Sequence, residues 1–194
     1  MERLSLKDEK LVLRQRFREL REAFVRESGP AASEKIKANL VKLVRDQGGH
    51  FEQICSYRPV QNEADPGMSP LTDYFFPKVD GKTMSFWRPK SEDAFVANKY
   101  GILEPRPEDS VPLDLKKPIL VFTPALAADS LGRRIGSGLG FYDKFFQLAP
   151  KALRVGVVYH MQVSQSPLPA EGWDQLLDWL VTDKMILQVS KRSF

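Results

Sequence analysis

Over the first 45 residues, apolar side chains recur at every third or fourth position, which is the period of an α-helix. The first predicted helix starts at Ser5, whose spacing from Asp8 resembles a capping box, and ends near Arg26 because Gly29 and Pro30 follow. Its apolar face carries Leu13, Phe17, Leu20 and Phe24.

A second helix is predicted over Ala32–Arg45, with Gly48-Gly49 as its stop signal. The apolar positions of this helix are Ile36, Leu40, Leu43 and Val44. We expect the two helices to form an N-terminal segment, about residues 5–46, that packs on the rest of the chain.

Beyond residue 50, short apolar runs between turn residues are typical of strands. Strands are predicted at Phe51–Tyr57, Pro118–Phe122, Arg154–Tyr159 and Leu180–Thr182. Tyr74–Val79, Asp80-Gly81 and Thr83–Trp87 predict a hairpin around a turn. We interpret Glu104–Leu115 as a loop, Thr123–Arg134 as a long polar approach, and Phe141–Leu148 as a helix.

Strands that alternate with helices favour an α/β fold. We predict one domain over residues 1–194, a three-layer α/β/α sandwich with a mostly parallel central sheet. Ligands of such sheets bind at the carboxyl ends of the strands. The loops after Tyr57 and after Phe122 would lie at that edge if their strands run parallel.

Composition narrows the class of protein. The formal net charge of +4 suits an anionic small molecule and does not require nucleic acid. The N-terminal residues are charged throughout and lack the apolar core of a secretory signal, and no apolar run approaches the length of a membrane span. The single cysteine, Cys55, lies between apolar neighbours and is interpreted as a buried small hydrophobe. We therefore expect a cytoplasmic protein with no membrane contact.

A basic stripe follows one face of the first predicted helix. Its members are Lys10, Arg14, Arg18 and Arg21. One interpretation is a solvated helix face. The other is that Lys10 and Arg14, which are neighbours four residues apart, lie against a triphosphate if this helix packs near the glycine-rich segment described next.

Residues 135–146 read IGSGLGFYDKFF and lie between a strand-like stretch and an amphipathic helix. Gly136, Gly138 and Gly140 alternate with single residues, so the backbone can approach an anion closely. The following helix would present its free N–H groups and the positive end of its dipole to that anion. Arg134 lies two residues before the first glycine. This context favours a phosphate cradle over an ordinary turn.

Taken together, these features resemble the 5-formyltetrahydrofolate cyclo-ligase family, also called methenyltetrahydrofolate synthetases, over nearly the whole chain. The resemblance rests on the helix with Lys10 and Arg14 and on the segments SYRPVQNEAD, FPKVDGKTMSF, GILEP, TPALAADSLGRRIGSGLGFYDKFF, RVGVVYHMQV and LDWLVTD. In the central block, the residues in register with the family pattern are Arg134, Gly136, Gly138, Gly140, Tyr142 and Asp143.

The resemblance implies a cyclo-ligase that uses magnesium ATP to convert 5-formyltetrahydrofolate, which can carry a polyglutamate tail, into 5,10-methenyltetrahydrofolate. It implies that ATP is held by Lys10, Arg14, Arg134, Gly136, Ser137, Gly138, Leu139, Gly140, Phe141 and Tyr142. Asp143 and Asp178 would ligate Mg²⁺. Glu63 would hydrogen-bond the pterin, and Tyr57, Tyr142 and Trp87 would line the folate pocket. Arg134, Tyr142 and Glu63 would be the catalytic residues of a monomeric enzyme.

Some positions depart from the family pattern or have a structural alternative. Ser137 and Leu139 replace residues that are often basic in the family, and Phe141 replaces the first tyrosine of a Tyr-Tyr pair. Arg133 or Lys144 could restore the missing charge. The structural alternatives concern five residues. Asp143 could serve only the helix dipole, Asp174 or Asp183 could replace Asp178, and Trp87, Phe141 and Tyr142 could be packing residues.

Two other functions remain open at this point. One is a non-catalytic nucleotide- or folate-binding protein of the same fold, which the missing loop cations permit. The other is a basic RNA-binding module, which the helix stripe suggests, although Glu63, Asp143 and Asp178 would have no role against a phosphate backbone.

Overall fold

The computed structural model describes residues 5–47, 50–67 and 69–190. Over these residues the chain forms two α-helices and thirteen strands. The helices are α1 (Leu6–Asp46) and α2 (Phe141–Leu148). The strands are β1 (Gln53–Cys55), β2 (Phe76–Asp80), β3 (Thr83–Pro89), β4 (Phe95–Ala97), β5 (Leu103–Pro105), β6 (Ser110–Pro112), β7 (Ile119–Pro124), β8 (Ala127–Asp129), β9 (Arg134–Ile135), β10 (Leu153–Val157), β11 (Val163–Ser164), β12 (Trp179–Val181) and β13 (Ile186–Gln188).

The central sheet has the strand order β1-β7-β10-β12-β13. The first four strands are parallel, and β13 joins the edge in the antiparallel direction. Cys55 pairs with Val121, and Val155 pairs with Phe122. A sheet that is covered on both faces needs apolar side chains on both sides of each strand, which is why β7 and β10 read as continuous apolar runs. The predicted, mostly parallel sheet is confirmed.

The two helices cover opposite faces of this sheet. On one face, Leu120 and Phe122 of β7 pack in a cluster with Ile36 and Leu40 of α1. On the other face, Val121 packs in a cluster with residues of α2 and of the β2–β3 hairpin. Successive residues of β7 thus point to alternate layers. The α/β/α arrangement is confirmed, and the N-terminal helical segment packs on the core.

The predicted break between two N-terminal helices is wrong, because α1 is one helix of 41 residues with Pro30 inside it. Proline removes one backbone donor and crowds the preceding turn, which usually ends a helix. Here the buried face continues through the proline: Phe17 and Arg21 precede it, and Ala32 and Ile36 follow in the same phase. Burial on both sides of Pro30 outweighs its local cost. Gly48-Gly49, the predicted stop signal, lie outside the described residues.

Two predicted loops contain short strands. Glu104–Leu115 includes β6 and part of β5, and Thr123–Arg134 includes β8 and the end of β7. The strands β5, β6 and β8 have three residues each, which is too short for a clear alternation of polar and apolar side chains. They form because they pair with neighbouring strands: β5 with β4, β6 with β3, and β8 with β9. The predicted hairpin is confirmed as β2–β3, with Asp80 opposite Thr83.

Over the described ranges, the helices are too short or too polar for any of them to cross a lipid bilayer.

Candidate functional site

Two loops meet at the carboxyl edge of the central sheet. One follows β1 and carries Glu63, and the other follows β7 and leads through β8 and β9 to the glycine-rich loop, residues 136–140. β1 and β7 are parallel neighbours, so both loops leave the sheet on the same side. This agrees with the expectation from the sequence, and it is the edge where α/β sheets bind ligands.

The glycine-rich loop connects β9 to α2. Gly138 has a φ of 101° and Gly140 a φ of 67°, which are left-handed conformations that side chains disfavour. Gly140 is the N-cap of α2, and it has no side chain to satisfy the first N–H groups of the helix. Ser137 and Leu139 are exposed, and Leu139 keeps 62% of its surface. The loop therefore presents backbone donors and the positive end of α2 to an anion.

α1 packs against the glycine-rich loop through Arg14. The Arg14 Nε donates to the carbonyl oxygen of Gly136 at 3.0 Å. The guanidinium also crowds Gly138, where a Cβ atom would lie 3.3 Å from the Arg14 Cζ. The first helix therefore packs near the glycine-rich loop at Arg14, which was the condition for a contact between the basic stripe and a triphosphate.

Lys10 has a different environment from Arg14. Its Nζ lies 2.7 Å from Glu171 Oε2 and 2.6 Å from Asp174 Oδ2. Burial disfavours the charged ammonium, but the hydrogen bonds and charges of Asp174 and Glu171 outweigh this and raise the pKa of Lys10. The predicted contact of Lys10 with ATP is not favoured by this geometry, since both neighbours are acidic.

Arg134 and Asp143 form a partly buried ion pair beside the loop. The Arg134 Nη2 donates to Asp143 Oδ1 at 2.8 Å, and only 6% of the Arg134 side chain is exposed. Arg134 Nη1 donates to the Gln175 carbonyl oxygen, while the Gln175 N–H donates to the same Asp143 oxygen at 3.0 Å. The Arg134 Cζ lies 5.7 Å from the centre of the Phe146 ring. These contacts fix both side chains beside the glycine-rich loop.

Asp178, the second predicted metal ligand, has the environment of a structural residue. It is fully buried, and its Oδ2 accepts from the Arg154 N–H at 2.9 Å. Mg²⁺ keeps several waters in its octahedral shell, which a side chain in the core cannot accommodate. Across the described residues there is no group of three or more His, Cys, Asp or Glu side chains that could hold a metal. Of the two predicted metal ligands, Asp143 is the one that is partly exposed beside the glycine-rich loop.

Glu63 interacts electrostatically with Tyr57 and Tyr142. Desolvation raises the pKa of Glu63, although the Val60 N–H, at 3.1 Å, and the charge of Arg21 act in the opposite direction. Burial, and then the Glu63 carboxylate, raise the pKa of both tyrosines well above the usual range. Both phenols therefore keep their protons at neutral pH and can donate hydrogen bonds.

The loop that carries Glu63 is held from three directions. Tyr57 Oη donates to the Ala64 carbonyl at 2.6 Å, and Arg21 Nη2 donates to the Gln61 carbonyl at 2.9 Å. Tyr159 Oη donates to the Glu63 carbonyl at 3.4 Å. Gln61 and its neighbour Asn62 have positive φ values of 46° and 66°, which a non-glycine residue adopts at some cost. Arg21 and Tyr159 are not predicted as parts of the site from the sequence, because only the fold brings them to this loop.

Two clefts flank the Glu63 loop. One, of about 500 Å³, is lined by Arg18, Arg21, Glu22, Gln61 and Asn62. The other, of about 230 Å³, is lined by Tyr57, Arg58, Pro59, Asp65, Leu71 and Phe76. The first volume lies within the range of small-molecule sites, about 300–1,000 Å³, and the second lies below it.

Trp87 does not lie on the Tyr142 side of the hairpin. On β3, Phe86 packs toward α2, with its ring centre 6.4 Å from that of Tyr142. Trp87, the next residue, points to the other face, where it pairs with Phe76 and donates to Ser85 Oγ at 2.9 Å. The structure therefore favours the packing interpretation for Trp87 over a contact with the same ligand as Tyr142.

The two candidates for restoring positive charge to the loop are engaged elsewhere. Arg133 Nη1 donates to the Leu168 carbonyl at 2.9 Å, and Lys144 Nζ donates to the Lys82 carbonyl at 3.1 Å. Arg133 and Lys144 thus do not supply the positive charge that Ser137 and Leu139 lack. Arg14 and Arg134 are the arginines that contact the loop or its flanks.

Comparison with known proteins is consistent with this geometry. A model described as the 5-formyltetrahydrofolate cyclo-ligase family matches residues 6–183. The 5-formyltetrahydrofolate cyclo-ligase of Haemophilus influenzae is 33% identical over 119 residues, and that of Escherichia coli K12 is 34% identical over 102 residues. These alignments cover 60% and 52% of this chain, and 59% and 54% of the relatives. The chain thus spans just over half the length of these curated relatives.

Solved structures match over more of the chain. The 5,10-methenyltetrahydrofolate synthetase of Aquifex aeolicus superposes with a TM-score of 0.78 and 29% identity, covering 95% of each chain. A 5,10-methenyltetrahydrofolate synthetase from Mycoplasma pneumoniae, at 20% identity and a TM-score of 0.70, shares the fold over 90% of this chain and 98% of that one. With the family model matched from residue 6 to residue 183, the chain belongs to the 5-formyltetrahydrofolate cyclo-ligase family.

Proposed function

We propose that this protein is an ATP-dependent 5-formyltetrahydrofolate cyclo-ligase that forms 5,10-methenyltetrahydrofolate and releases ADP and phosphate. The observation that carries the proposal is the first turn of α2. Burial raises the pKa of Tyr142 and the charge of Glu63 raises it further, whereas the next residue, Asp143, pairs with Arg134 beside the glycine-rich loop. One helical turn thus joins a candidate pterin site to a candidate nucleotide site, as a reaction between two bound molecules requires.

The nucleotide half is built from the glycine-rich loop, Arg14 and Arg134. The backbone N–H groups of residues 136–142, including those of Ser137, Leu139 and Phe141, would bind phosphate oxygens near the positive end of α2. Arg14 and Arg134 would add charge from two sides of the loop. Lys10 is left out of this set because its ammonium is already bound by two carboxylates.

Magnesium fits one of its two predicted ligands. Mg²⁺ is commonly held by one or two carboxylates together with substrate phosphates and water. Asp143, with 21% of its side chain exposed, can take this role, where the cation would neutralise charge on the phosphates. The buried Asp178 does not fit and is not included in the proposed site.

The pterin half consists of Glu63, Tyr57 and Tyr142. A pterin ring carries adjacent N–H donors, and a carboxylate in a desolvated site is a strong acceptor for them. The protonated phenol of Tyr142 can donate to a substrate oxygen or nitrogen atom, whereas the Tyr57 phenol donates its proton to the Ala64 carbonyl and is left as an acceptor. The Glu63 side chain also accepts from the Val60 N–H, which orients it within its loop.

The proposed chemistry needs positioning more than it needs a protein nucleophile. ATP supplies a phosphoryl group to the formyl oxygen, so that N10 of the substrate can attack the formyl carbon and phosphate can leave. Arg134 would stabilise charge on the transferring group, and Tyr142 would hold the substrate against it. Cys55, the single cysteine of the chain, is fully buried, and burial raises its pKa well above the usual range, so it is unsuited to nucleophilic attack.

A second candidate function is a non-catalytic nucleotide- or folate-binding protein on the same fold. The observation in its favour is the exposed, uncharged pair Ser137 and Leu139, for which Arg133 and Lys144 do not compensate. Such a protein would bind the ligands without turning them over.

The deciding experiment follows the absorbance of the methenyl product in a mixture of protein, 5-formyltetrahydrofolate, ATP and magnesium. We expect an increase that requires ATP and that falls about 100-fold or more in Asp143→Asn, because misplaced reacting groups cost a factor of that size. Asp80→Asn, a surface change on the hairpin, is the matched control. If folded wild-type protein binds both ligands and yields no product, the binding-protein function replaces the cyclo-ligase. Wild-type turnover in Asp143→Asn would exclude a role for that residue with the metal.

We also propose a monomeric cytoplasmic protein that binds neither nucleic acid nor membrane. Its net charge of +4 is modest, and Arg14 and Arg134 are engaged at the glycine-rich loop or beside it. Sedimentation tests the monomer. Steep salt dependence of binding to RNA would instead favour the nucleic-acid alternative.

A further inference from the structure

Trp173 is a large aromatic side chain that the fold leaves in solvent. Of its surface, 61% is exposed, whereas the two other tryptophans of the chain, Trp87 and Trp179, are half-buried. Burial of an indole removes a large apolar area from water, and an exposed indole forgoes most of that stabilisation. Packing within the chain therefore does not explain why a tryptophan stands at this position.

The turn that carries Trp173 is fixed on both sides of it. The Glu171 N–H donates to Asp174 Oδ2 at 2.8 Å, and the Asp174 N–H donates to the Glu171 carbonyl at 3.0 Å. Both carboxylates also contact the Lys10 Nζ of α1, at 2.7 and 2.6 Å. Little backbone ordering would therefore accompany the binding of a ligand to the indole.

The same turn borders the candidate nucleotide site. Gln175, two residues after Trp173, donates its N–H to Asp143 Oδ1 at 3.0 Å and accepts through its carbonyl from Arg134. The turn also contacts α1 about one helical turn before Arg14, whose Nε bonds the glycine-rich loop. The turn, α1 and the glycine-rich loop are thus joined around the place where phosphate groups would bind.

A second exposed apolar side chain lies in the glycine-rich loop itself. Leu139 keeps 62% of its surface exposed. A leucine offers no charge to a phosphate, but it can contact the apolar faces of a purine base. ATP presents both kinds of surface, so a complete nucleotide site needs polar donors for its phosphates and apolar groups for its base.

We propose that Trp173 is the stacking surface for the purine base of the nucleotide, while the glycine-rich loop binds the phosphates. This role rests on the proposed function, because it takes the loop to bind ATP. Stacking on an aromatic side chain strengthens binding and tolerates any base, since every base has a π-face. Trp173 would therefore favour nucleoside triphosphates over inorganic phosphates, without selecting adenine over guanine.

The test compares ligands that share the phosphates and differ in the base: the magnesium complexes of ATP, GTP and inorganic tripolyphosphate, titrated by calorimetry. We expect Trp173→Ala to weaken ATP and GTP about tenfold or more and to leave tripolyphosphate unchanged. Trp173→Phe keeps an aromatic face and should retain most of the affinity for both nucleotides. Tyr100→Ala removes another exposed aromatic side chain, at the end of the β4–β5 hairpin, and is the matched control.

Two results of this titration would overturn the stacking role. Unchanged affinity for ATP in Trp173→Ala would show that the base does not contact the indole. An equal loss of affinity for ATP and tripolyphosphate would show that Trp173 acts on the phosphate site through its turn. Because the side chain is exposed, we expect both variants to fold, and their melting temperatures check this.

Tryptophan fluorescence gives a second readout. ATP should change the emission of the wild type, whereas tripolyphosphate should not, and the change should be lost in Trp173→Phe. A full change in Trp173→Phe would assign the signal to Trp87 or Trp179 and overturn the stacking role.

Neither measurement needs folate or turnover. If the nucleotides bind with this pattern and no methenyl product forms, the cyclo-ligase activity fails and the stacking role stands. If the wild type turns over and Trp173→Ala binds ATP like the wild type, the stacking role fails and the activity stands.

Discussion

Glu63 has an environment that disfavours the charged form of its carboxyl group. Its carboxylate is largely desolvated, and the Val60 N–H and the charge of Arg21 offset this only in part, so its pKa stays above the usual value. The backbone just before it, at Gln61 and Asn62, has positive φ values. Such features persist at sites where a ligand provides the missing partner. At the residue scale, Glu63 is therefore better explained by ligand binding than by stability.

We predict that Glu63→Gln stabilises the protein at neutral pH and abolishes turnover. A carboxyl group with a raised folded pKa binds its proton more tightly in the folded state, so its contribution to stability is present below the unfolded value near 4.5 and is lost as the pH rises through the folded value. Glutamine is neutral throughout. The free energy of unfolding of the variant should exceed that of the wild type at pH 7, and the difference should vanish toward pH 4.

Urea unfolding at several pH values, with Glu108→Gln as an exposed control, measures this effect. A variant that is less stable than the wild type at pH 7 would mean that Arg21 and Val60 already stabilise the carboxylate fully. In that case the pterin would not be needed to explain this residue.

At the scale of elements, local signals predicted some structures correctly and others not. The helix Phe141–Leu148 and the glycine-rich loop before it were predicted where they occur, because an amphipathic period and clustered glycines are local properties. Pro30 is an equally local signal, and the helix break that it predicts does not occur, because the continuity of α1 depends on burial against distant strands. Strands β5, β6 and β8 depend on their partners in the same way.

In the candidate site, too, residues within short motifs could be predicted, whereas contacts between distant segments could not. Arg134, Asp143, Tyr142 and Glu63 could be named from motifs, since they lie within short recognisable segments. Lys10 and Asp178 were matched to the same motifs, but their surroundings are set by residues that no motif contains. Gln175 acts through its backbone, so its side chain gave no signal for its contact with Asp143 and Arg134.

The continuity of α1 leads to a prediction for Pro30→Ala. Pro30 is exposed within the helix, so alanine should restore a backbone hydrogen bond and relieve crowding without changing the core. Alanine also increases the conformational entropy of the unfolded chain, which offsets about 0.4–1 kcal/mol of this stabilisation. We expect a net rise of about 1–2 kcal/mol in the free energy of unfolding.

Chemical denaturation tests this prediction, with Ser28→Ala as the control in the exposed part of the same turn. A loss of stability in Pro30→Ala would indicate that the two halves of α1 need the proline to follow the sheet. The helix would then depend on the residue that appeared to break it.

At the scale of the whole molecule, the site joins segments from distant parts of the chain. Arg14 comes from α1, Glu63 from the loop after β1, the glycine-rich loop from before α2, and Gln175 from the segment before β12. A ligand that binds across these segments stabilises the fold, because it binds only the folded state. Stabilisation by each ligand can therefore locate its half of the site without any turnover.

We predict that magnesium ATP and 5-formyltetrahydrofolate each raise the melting temperature, and that separate substitutions remove the two shifts. At a ligand concentration of about 100 times Kd the gain is about 2.7 kcal/mol, which corresponds to roughly 5–10 °C for a chain of this size. Gly138→Ala should remove most of the ATP shift, because its φ of 101° is strained for alanine and the new Cβ atom, 3.3 Å from the Arg14 guanidinium, would displace that side chain. Glu63→Gln should remove the folate shift and keep that of ATP. The reverse assignment, or loss of both shifts in either variant, would contradict a site divided into two halves by the first turn of α2.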